Sequence, residues 1–469
     1  MNNITEILNI EDENIEIIDC SVEGEFKVIT LEKKLMAHVC PECNAAMHSR
    51  GITKRKVRHP ILQDGYKLIL RINQRRWRCT NPLCKYEEND HFFFINKYKQ
   101  LTNITPYLVC EALRDIDVTC AQVGERFNIT SQTVHNYFMY YVDCPRLSMP
   151  EILCVDEVFL NLDEKHKYVL VLMDFSNGQI IDILPSRRKE DTERYFLNIP
   201  LSERRNVKYL VSDMYNPYIN YTKTYFLKSG SIIDSFHVIS WLNNKLVLYI
   251  NSVKKYYQKL DKQRLEVKNE YLNSPFDSIQ ESDEVYLLKK YKFFLLSDIN
   301  HIEYKTEKWY SLKLCQYVDT YILEKMFLDL DDNFRVFREY KQMYIDFNNR
   351  NLGKEKEEIE LELNELIRIY FDSGYEIYRD FAYLLRRYSK EIVASFKLVK
   401  GTYDGVEIVR RLSNGPMESF NRKPKDLKRL SRGFSNFDYV RQRILWSTRY
   451  ISFNQYKKLP KHNYIDKSK

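Results

Sequence analysis

Three features predict an α/β core that carries a large helical insertion and follows a cysteine-paired module. Short apolar runs bounded by turn residues crowd between positions 150 and 235. Helical periodicity dominates from 240 to about 402, and two close cysteine pairs stand at 40–43 and 79–84. Short apolar runs with turn signals at both ends read as buried strands, whereas i, i+4, i+7 spacing reads as helix. The 469 residues allow roughly two to four domains, and 44% apolar content can fill their cores. Only 12 Gly and 13 Pro exclude collagen-like and Gly/Ser-linker architectures. No apolar run approaches the roughly 18 residues of a membrane span. The first residues lead into Glu11, Asp12 and Glu13, the wrong charge sign for a signal peptide, so a soluble cytoplasmic protein is expected.

Residues 1–100 are expected to form a zinc module. Cys40-Pro-Glu-Cys43 and Cys79-Thr-Asn-Pro-Leu-Cys84 each place two thiols on a tight turn, and two such turns complete a four-sulfur tetrahedral site for Zn²⁺. The alternative is four ordinary buried thiols. Cys20, Cys110, Cys120, Cys144, Cys154 and Cys315 lack ligand spacing and read as small core residues. His38, His48 and His59 read as surface or phosphate-adjacent side chains. Between Arg50 and Arg78 stand ten Lys/Arg, including Arg75 and Arg76, against the single acid Asp64. A second run, Arg422 to Arg443, holds eight against Asp426 and Asp438. One basic run is often only a solvated face; two, each beside a motif, favour a polyanion partner.

Residues 101–148 read as a helix-turn-helix. Ala121, Val123 and Phe127 have helical spacing, Asn128-Ile129-Thr130 makes a short turn, and Thr130 or Ser131 suits the cap of a second helix. Val134, Tyr137 and Phe138 would face inward, leaving Gln132, Thr133, His135 and Asn136 toward a major groove. Helical hairpins of this length also occur in ordinary cores.

From Glu151 the texture changes. Ile152–Phe159, Lys167–Asp174 and Gln179–Leu184 read as three strands, with Asn177-Gly178 as the hairpin turn. A helix over 187–198, a strand over 207–213, a helix over 214–227 and a strand over 231–234 follow. Three antiparallel strands and then alternating helix and strand is the ribonuclease-H-like order, assigned here to 149–239. Asp156 sits inside an apolar strand and Asp213 ends another, where acids are rare, although a surface or capping role is an alternative.

Residues 240–402 read as a helical insertion. Ile359, Leu363, Leu366 and Tyr370 form an amphipathic stripe that suits packing, and Trp241 and Trp309 read as core. The core resumes over 403–469. Pro416 suits a first helical position, so Glu418 falls in a first turn, with Asn421, Arg422 and Lys425 three, four and seven residues on. One helical face would then carry an acid able to hold a metal and cations able to bind phosphates, with Pro424 a possible break.

These segments together resemble the bacterial insertion-sequence transposases of the ISL-three type, over nearly the whole chain. The resemblance rests on the four cysteines, the helix pair at about 119–140, Val155-Asp-Glu157, Val211-Ser-Asp-Met214 and Asp234-Ser-Phe-His237. Its most specific part is Ser413-Asn-Gly-Pro-Met-Glu-Ser-Phe-Asn-Arg422, with Arg429 to Phe434 behind it. It implies a DDE transposase with a ribonuclease-H-like core and an insertion before the last acid. Asp156, Asp213 and Glu418 become the catalytic and metal-holding acids for two Mg²⁺ or Mn²⁺ ions. Ser235 departs from the Arg or Lys often found there, which leaves the role of Asp234–His237 open. Cutting and rejoining phosphodiesters uses two such ions roughly 3.5–4 Å apart, and hard carboxylate oxygens suit them. Glu157, its neighbour, would point to the opposite face of the strand. The implied partners are double-stranded DNA, as terminal inverted repeats and as target, with a homodimer or higher oligomer on DNA at the nucleoid and no membrane. Arg422, Lys425 and Arg429 join Arg75, Arg76, Gln132, Thr133 and Asn136 as expected DNA contacts. The rival readings are a non-enzymatic zinc and helix-turn-helix regulator, and a ribonuclease-H-like nuclease.

Overall fold

In the computed structural model the described residues are 8, 10, 12, 14–63, 65–96, 98–164, 167–272, 281–403, 405–430 and 436–449. Glu11, Glu13, Asp64, Arg432 and Phe434 therefore lie outside them. The chain divides into two compact units. One comprises Met1–Arg146, Val158–Val169 and Asn421–Lys469, the other Leu147–Glu157 and Leu170–Phe420.

The first unit opens with strands β1 (Ile15–Glu23), β2 (Phe26–Lys33), β3 (Met47–Gln63), β4 (Tyr66–Cys79) and β5 (Glu87–Asn89). Their order is β1-β2-β4-β3, with β5 paired to β4. β1 and β2 form an antiparallel hairpin, β2 runs parallel to β4, and β3 and β4 are antiparallel along most of their length. Alternation along β4 buries Leu68, Leu70 and Ile72 against Ile29, Leu31, Val57, Phe92 and Phe94. The two expected tight turns thus sit at the tip of a large sheet, whose long strands β3 and β4 carry the basic run.

Helices α1 (Thr105–Ala112), α2 (Cys120–Phe127) and α3 (Ser131–Tyr141) follow. Thr119 and Gln122 form a reciprocal capping box at the start of α2, and Asn128 ends it in the left-handed region at φ 53°. Thr130 then caps α3 by accepting from the Thr133 amide. Gly124 is needed at this corner, since a Cβ there would meet the Ile129 carbonyl oxygen at 2.7 Å.

The second unit is built on β6 (Ile152–Phe159), β7 (Tyr168–Asp174), β8 (Ile180–Leu184), α4 (Lys189–Leu197), α5 (Leu201–Arg204), β9 (Tyr209–Ser212), α6 (Asn216–Thr224) and β10 (Gly230–Ile233). The sheet order is β10-β9-β6-β7-β8, with β9 parallel to both β6 and β10 and β7 antiparallel to β8. Leu153 and Val155 pack with Leu170, Leu172, Phe196 and Tyr218 on one face of this sheet. Strand alternation therefore sends Cys154 and Asp156 to the other face.

α7 (Ser235–Leu272) leaves the sheet and opens the insertion. It is followed by α8 (Asp283–Lys290), α9 (Phe293–Leu296), the hairpin β11 (Trp309–Ser311) and β12 (Gln316–Val318), α10 (Thr320–Leu328), α11 (Asn333–Arg350), α12 (Lys356–Asp372), α13 (Glu376–Arg387) and α14 (Ser389–Ala394). Leu242, Leu246 and Ile250 of α7 share one core with the predicted stripe Ile359, Leu363, Leu366 and Tyr370. Trp241 stacks on Phe381, but Trp309 is exposed on its hairpin, since a lone Trp without helical spacing says little about burial. A second hairpin, β13 (Leu398–Tyr403) and β14 (Val406–Arg411), leads to α15 (Gly415–Phe420), where the second unit ends.

The last helices, α16 (Arg422–Leu430) and α17 (Phe437–Thr448), belong to the first unit. Trp446 Nε1 donates to the Cys110 carbonyl at 2.8 Å, and buried Arg443 donates to the carbonyls of Asp115 and Val118, each at 2.7 Å. The Arg114 guanidinium lies over the Trp446 ring. Arg443, the last cation of the second basic run, is therefore not open to a polyanion: it is buried and its charge closes the loop between α1 and α2.

Candidate functional site

The four predicted cysteines meet. Their sulfurs all lie within 4.8 Å of one another, and among the described residues this is the group that gathers metal-type ligand atoms so closely. Each pair sits on its own tight turn. The Asn44 amide donates to the Cys40 carbonyl, with Asn44 at φ 55°, and the Cys84 amide donates to Asn81. Cys40 and Cys84 sulfurs are 3.7 Å apart, and those of Cys43 and Cys79 are 3.3 Å apart. Four thiolates around one zinc at about 2.3 Å stand roughly 3.8 Å apart, so the donor set fits a zinc module. The Ala45 amide, then the Cys79 thiol, lower the Cys43 pKa to about 7, which supplies a thiolate near neutral pH.

Of the neighbouring histidines expected at the surface, His48 is exposed, whereas His38 and His59 are engaged within the module. His38 stacks on Trp77 and bonds Glu88 at 3.0 Å. His59 is buried, its Nε2–H donating to the Leu8 carbonyl at 2.7 Å and its Nδ1 accepting from Thr102 at 2.9 Å. Burial pushes its pKa down to about 4, against a small opposing effect of the Leu8 bond.

Six of the ten cations in the first basic run pair with four acids, three of the six sharing Glu87. Lys67 pairs with Glu25, Arg71 with Glu23, Arg75 with Glu32, and Arg50, Arg76 and Arg78 with Glu87. Arg75 is mostly covered and also bonds the Lys33 carbonyl. Its place in the sheet makes it a structural cation, whereas Arg76 remains exposed. Gln132 and Asn136 are exposed on α3 and bonded to each other at 2.9 Å, and Thr133 is half-buried beside Thr130. His135, expected outward, instead packs its ring on Tyr439 at 4.6 Å.

The acids lie in the second unit. Asp156 is buried on the face of β6 away from the main sheet core, and its Oδ1 accepts the Glu157 amide at 2.7 Å. Glu157 faces the other way, ion-paired to Arg187 at 2.7 Å and bonded to the Tyr218 hydroxyl at 3.1 Å. Asp213 stands one residue beyond β9, and its Oδ1 is 2.5 Å from His237 Nε2 on the first turn of α7. Burial works against the charged His237 ring, but Asp213, then Asp234 and Asp156, outweigh it and hold its pKa above the ordinary value. Glu418 lies on α15, held by buried Met417 and Phe420. Burial first, then the charge of Asp234, raise its pKa; His237 opposes and Asp213 adds to the rise. Asp156, Asp213, Asp234, His237 and Glu418 are therefore one electrostatic cluster. Among the described residues their ligand atoms do not close within the 4.8 Å shared by the thiols.

The single helical face expected for Glu418, Asn421, Arg422 and Lys425 does not form. The helix stops at Phe420 and another begins at Arg422, with Pro424 buried near its start. Proline lacks the amide that a continuous helix would need there. Arg422 and Lys425 are exposed on α16, and Arg429 pairs with Asp426 at 3.1 Å.

A family model described as a transposase, of the DDE ISL-three type, matches residues 153–444. This is more than half of the chain. The chain belongs to the ISL-three transposase family. The transposase for insertion sequence element IS1001 of Bordetella parapertussis is similar at 23% identity over 230 residues, covering 48% of this chain and 55% of that protein. The chain thus spans about half the length of this curated relative. The family match contains Asp156, Asp213, Asp234, His237 and Glu418, while the cysteine cluster and α1 to α3 precede it.

Sequence reasoning named Asp234 and His237 but gave them no task. Asp234 is 4% exposed; its Oδ1 accepts the Phe236 amide at 2.9 Å and its Oδ2 accepts the Asn414 amide at 2.6 Å. Only the two-residue gap to a helix start could have signalled the first bond. Nothing local signals the second. Asp182 gives the converse lesson: it is an acid buried inside β8, yet it bonds Tyr195 on the α4 side.

Proposed function

We propose that this protein is a DDE transposase that binds the terminal inverted repeats of an insertion sequence and catalyses metal-dependent strand cleavage and strand transfer. The observation that carries this is the electrostatic cluster of Asp156, Asp213 and Glu418, drawn from β6, the end of β9 and α15, in a chain of this family. The order β10-β9-β6-β7-β8 supports reading the sheet as ribonuclease-H-like, with Asp156 on its central strand.

Clustered carboxylate oxygens are a donor set suited to hard divalent cations. Asp156, Asp213 and Glu418 would hold two Mg²⁺ or Mn²⁺ ions, which when bound activate the attacking oxygen and stabilise the leaving oxygen. Asp213 keeps Oδ2 available while His237 takes Oδ1. Glu418 is on the exposed side of a helix anchored by Met417 and Phe420, and Asp156 is oriented by the Glu157 amide. Glu157 stays on the far side with Arg187. In the first unit, Cys40, Cys43, Cys79 and Cys84 would hold a structural Zn²⁺. Gln132, Thr133 and Asn136 would read bases, and Arg76, Arg422, Lys425 and Arg429 would meet phosphates. A homodimer or higher oligomer on double-stranded DNA would bring two repeat ends and a target together. Among the described residues no helix is long and apolar enough to cross a membrane, in keeping with a cytoplasmic, nucleoid-associated protein.

The test is a supercoiled donor plasmid bearing two ends, incubated with Mg²⁺. Asp156→Asn, Asp213→Asn and Glu418→Gln should each lower cleavage and joining on the order of 10³-fold or more, with end binding retained. Glu157→Gln should lose much less. End binding without any cutting by the native protein would identify a regulator, and cutting without joining a nuclease.

A further inference from the structure

We propose that the turn Asp234-Ser-Phe-His237 is a two-headed clamp that registers two of the site's acids, acting as a positioning element. This rests on the reading of Asp213 and Glu418 as metal-holding acids. The turn joins β10 to α7, so it is fixed to both the sheet and the longest helix.

Its first head is Asp234. One carboxylate oxygen accepts the Phe236 amide at 2.9 Å and so caps the start of α7. The other accepts the Asn414 amide at 2.6 Å, across 180 residues of chain. Asn414 is 0% exposed, and Glu418 begins its helical bonding by donating its amide to the Asn414 carbonyl at 3.0 Å. A single carboxylate thus ties the beginning of α7 to the residue on which the Glu418 turn is hung. Both of its oxygens are engaged with backbone amides, which leaves it poorly suited to be a metal ligand itself. Buried Leu412 and Met417 fix the depth of the segment, and the Leu412 amide donates to the Lys397 carbonyl at 3.3 Å, but these lie to either side of Asn414.

The second head is His237. Its Nε2 forms an ion pair with Asp213 Oδ1 at 2.5 Å, which engages one oxygen of that carboxylate. Partners of this kind orient a ligating carboxylate, and their removal commonly costs about 10–100-fold in metal affinity. Asp213 follows β9 directly, outside the hydrogen-bonded strand, so its own backbone gives it less constraint. The two heads stand three residues apart, on one helical turn, and one rigid piece therefore sets the spacing between two acids from separate segments.

The experiment compares Asp234→Ala, His237→Ala and His237→Gln in the full-length protein. Hydrogen exchange, measured without metal or DNA, should show the Asn414–Glu418 amides of Asp234→Ala exchanging about tenfold faster or more, while Leu242–Ile250 of α7 stay unchanged. Mn²⁺ titration should then find the native number of ions in both alanine variants, bound roughly 10–100-fold more weakly. His237→Gln, whose amide can donate at the same reach, should recover most of that loss. Unchanged exchange at Asn414, or loss of one Mn²⁺ from Asp234→Ala as from Asp213→Asn, would overturn the clamp. If the native protein bound no Mn²⁺, the two-ion reading would fall, while the exchange arm would still decide the Asp234 tether.

Discussion

The cysteine cluster and the carboxylate cluster are assembled in opposite ways. Each thiol pair is fixed by a turn a few residues long, with its own backbone bonds, so the four sulfurs arrive together before any ion is considered. The acids come from β6, the end of β9 and α15, and reach one another only through a folded sheet and a turn borrowed from α7. Sulfur ligands on short turns form a closed structural site. Carboxylates spread over separate segments keep open positions that substrate can use, and they depend on neighbours to hold their direction. The difference is visible in two histidines. His59 sits among neutral partners and is driven toward its uncharged form, whereas His237 sits among acids that raise its pKa above the ordinary value despite its burial.

The largest expected effect lies on the thiol side. Structural zinc contributes on the order of 10 kcal/mol to the folding of a module it closes. Cys43→Ser should therefore bind less than one zinc per chain and lose protection of Trp77 and the β3–β4 tip. Mn²⁺ binding by the proposed acid site should be unaffected. Zinc content measured by atomic emission, with hydrogen exchange on the same samples, checks both halves. A full zinc load in Cys43→Ser would remove that residue from the ligand set, and loss of Mn²⁺ binding with the zinc would show that the two sites are not independent.

How far the sequence reveals each site follows the same division. Cys40, Cys43, Cys79 and Cys84 were legible because their geometry is local, and the order of strands β6 to β10 was legible because each is a short apolar run with turn signals. The pairing of Arg71 with Glu23 or Arg75 with Glu32 was not, since it depends on which strands become neighbours. For that reason ten cations looked like a DNA-binding face when several are internal ion pairs. The helix break at Asn421 was foreshadowed by Pro424 alone. The bond from Asn414 to Asp234 had no local trace, because a backbone amide carries no signature of the acid that will accept from it.

The next effect uses the buried histidine of the first unit. His59 falls from the usual 6.5 to about 4 in the folded protein, while in the unfolded chain it titrates normally. The unfolded state then binds more protons, so stability contributed by neutral His59 is full above about pH 6.5 and is lost as pH falls toward 4. The total is about 3 kcal/mol. Urea unfolding followed by exchange in β3 and β4 should show this loss between pH 7 and pH 5 in the native protein. It should be smaller in His59→Gln, which keeps a neutral hydrogen-bonding side chain. An equal pH dependence in the two would mean that another group titrates.

The smallest expected effect decides whether the first unit reads sequence or merely adheres to DNA. Gln132 and Asn136 are exposed one turn apart on α3 and already hydrogen-bond each other, so their amide planes are held in a fixed relation before a base is met. An amide of this kind pairs bidentately with adenine in the major groove, and each such contact is worth ~1–3 kcal/mol of discrimination. Replacing either by Ala should lower the preference for terminal repeats over random DNA roughly tenfold and leave the salt dependence nearly unchanged. Arg76 and Lys425 are exposed cations; their replacement by Ala should weaken binding to every sequence alike and reduce the slope of log affinity against log salt by about one each. Arg75→Ala is the control that the fold supplies, because its partners are Glu32 and the Lys33 carbonyl. It should lower the stability of the sheet with little change in salt slope. Identical behaviour of the amide and cation variants would take α3 out of the groove, and a lost phosphate contact in Arg75→Ala would mean that its pairing with Glu32 opens on DNA.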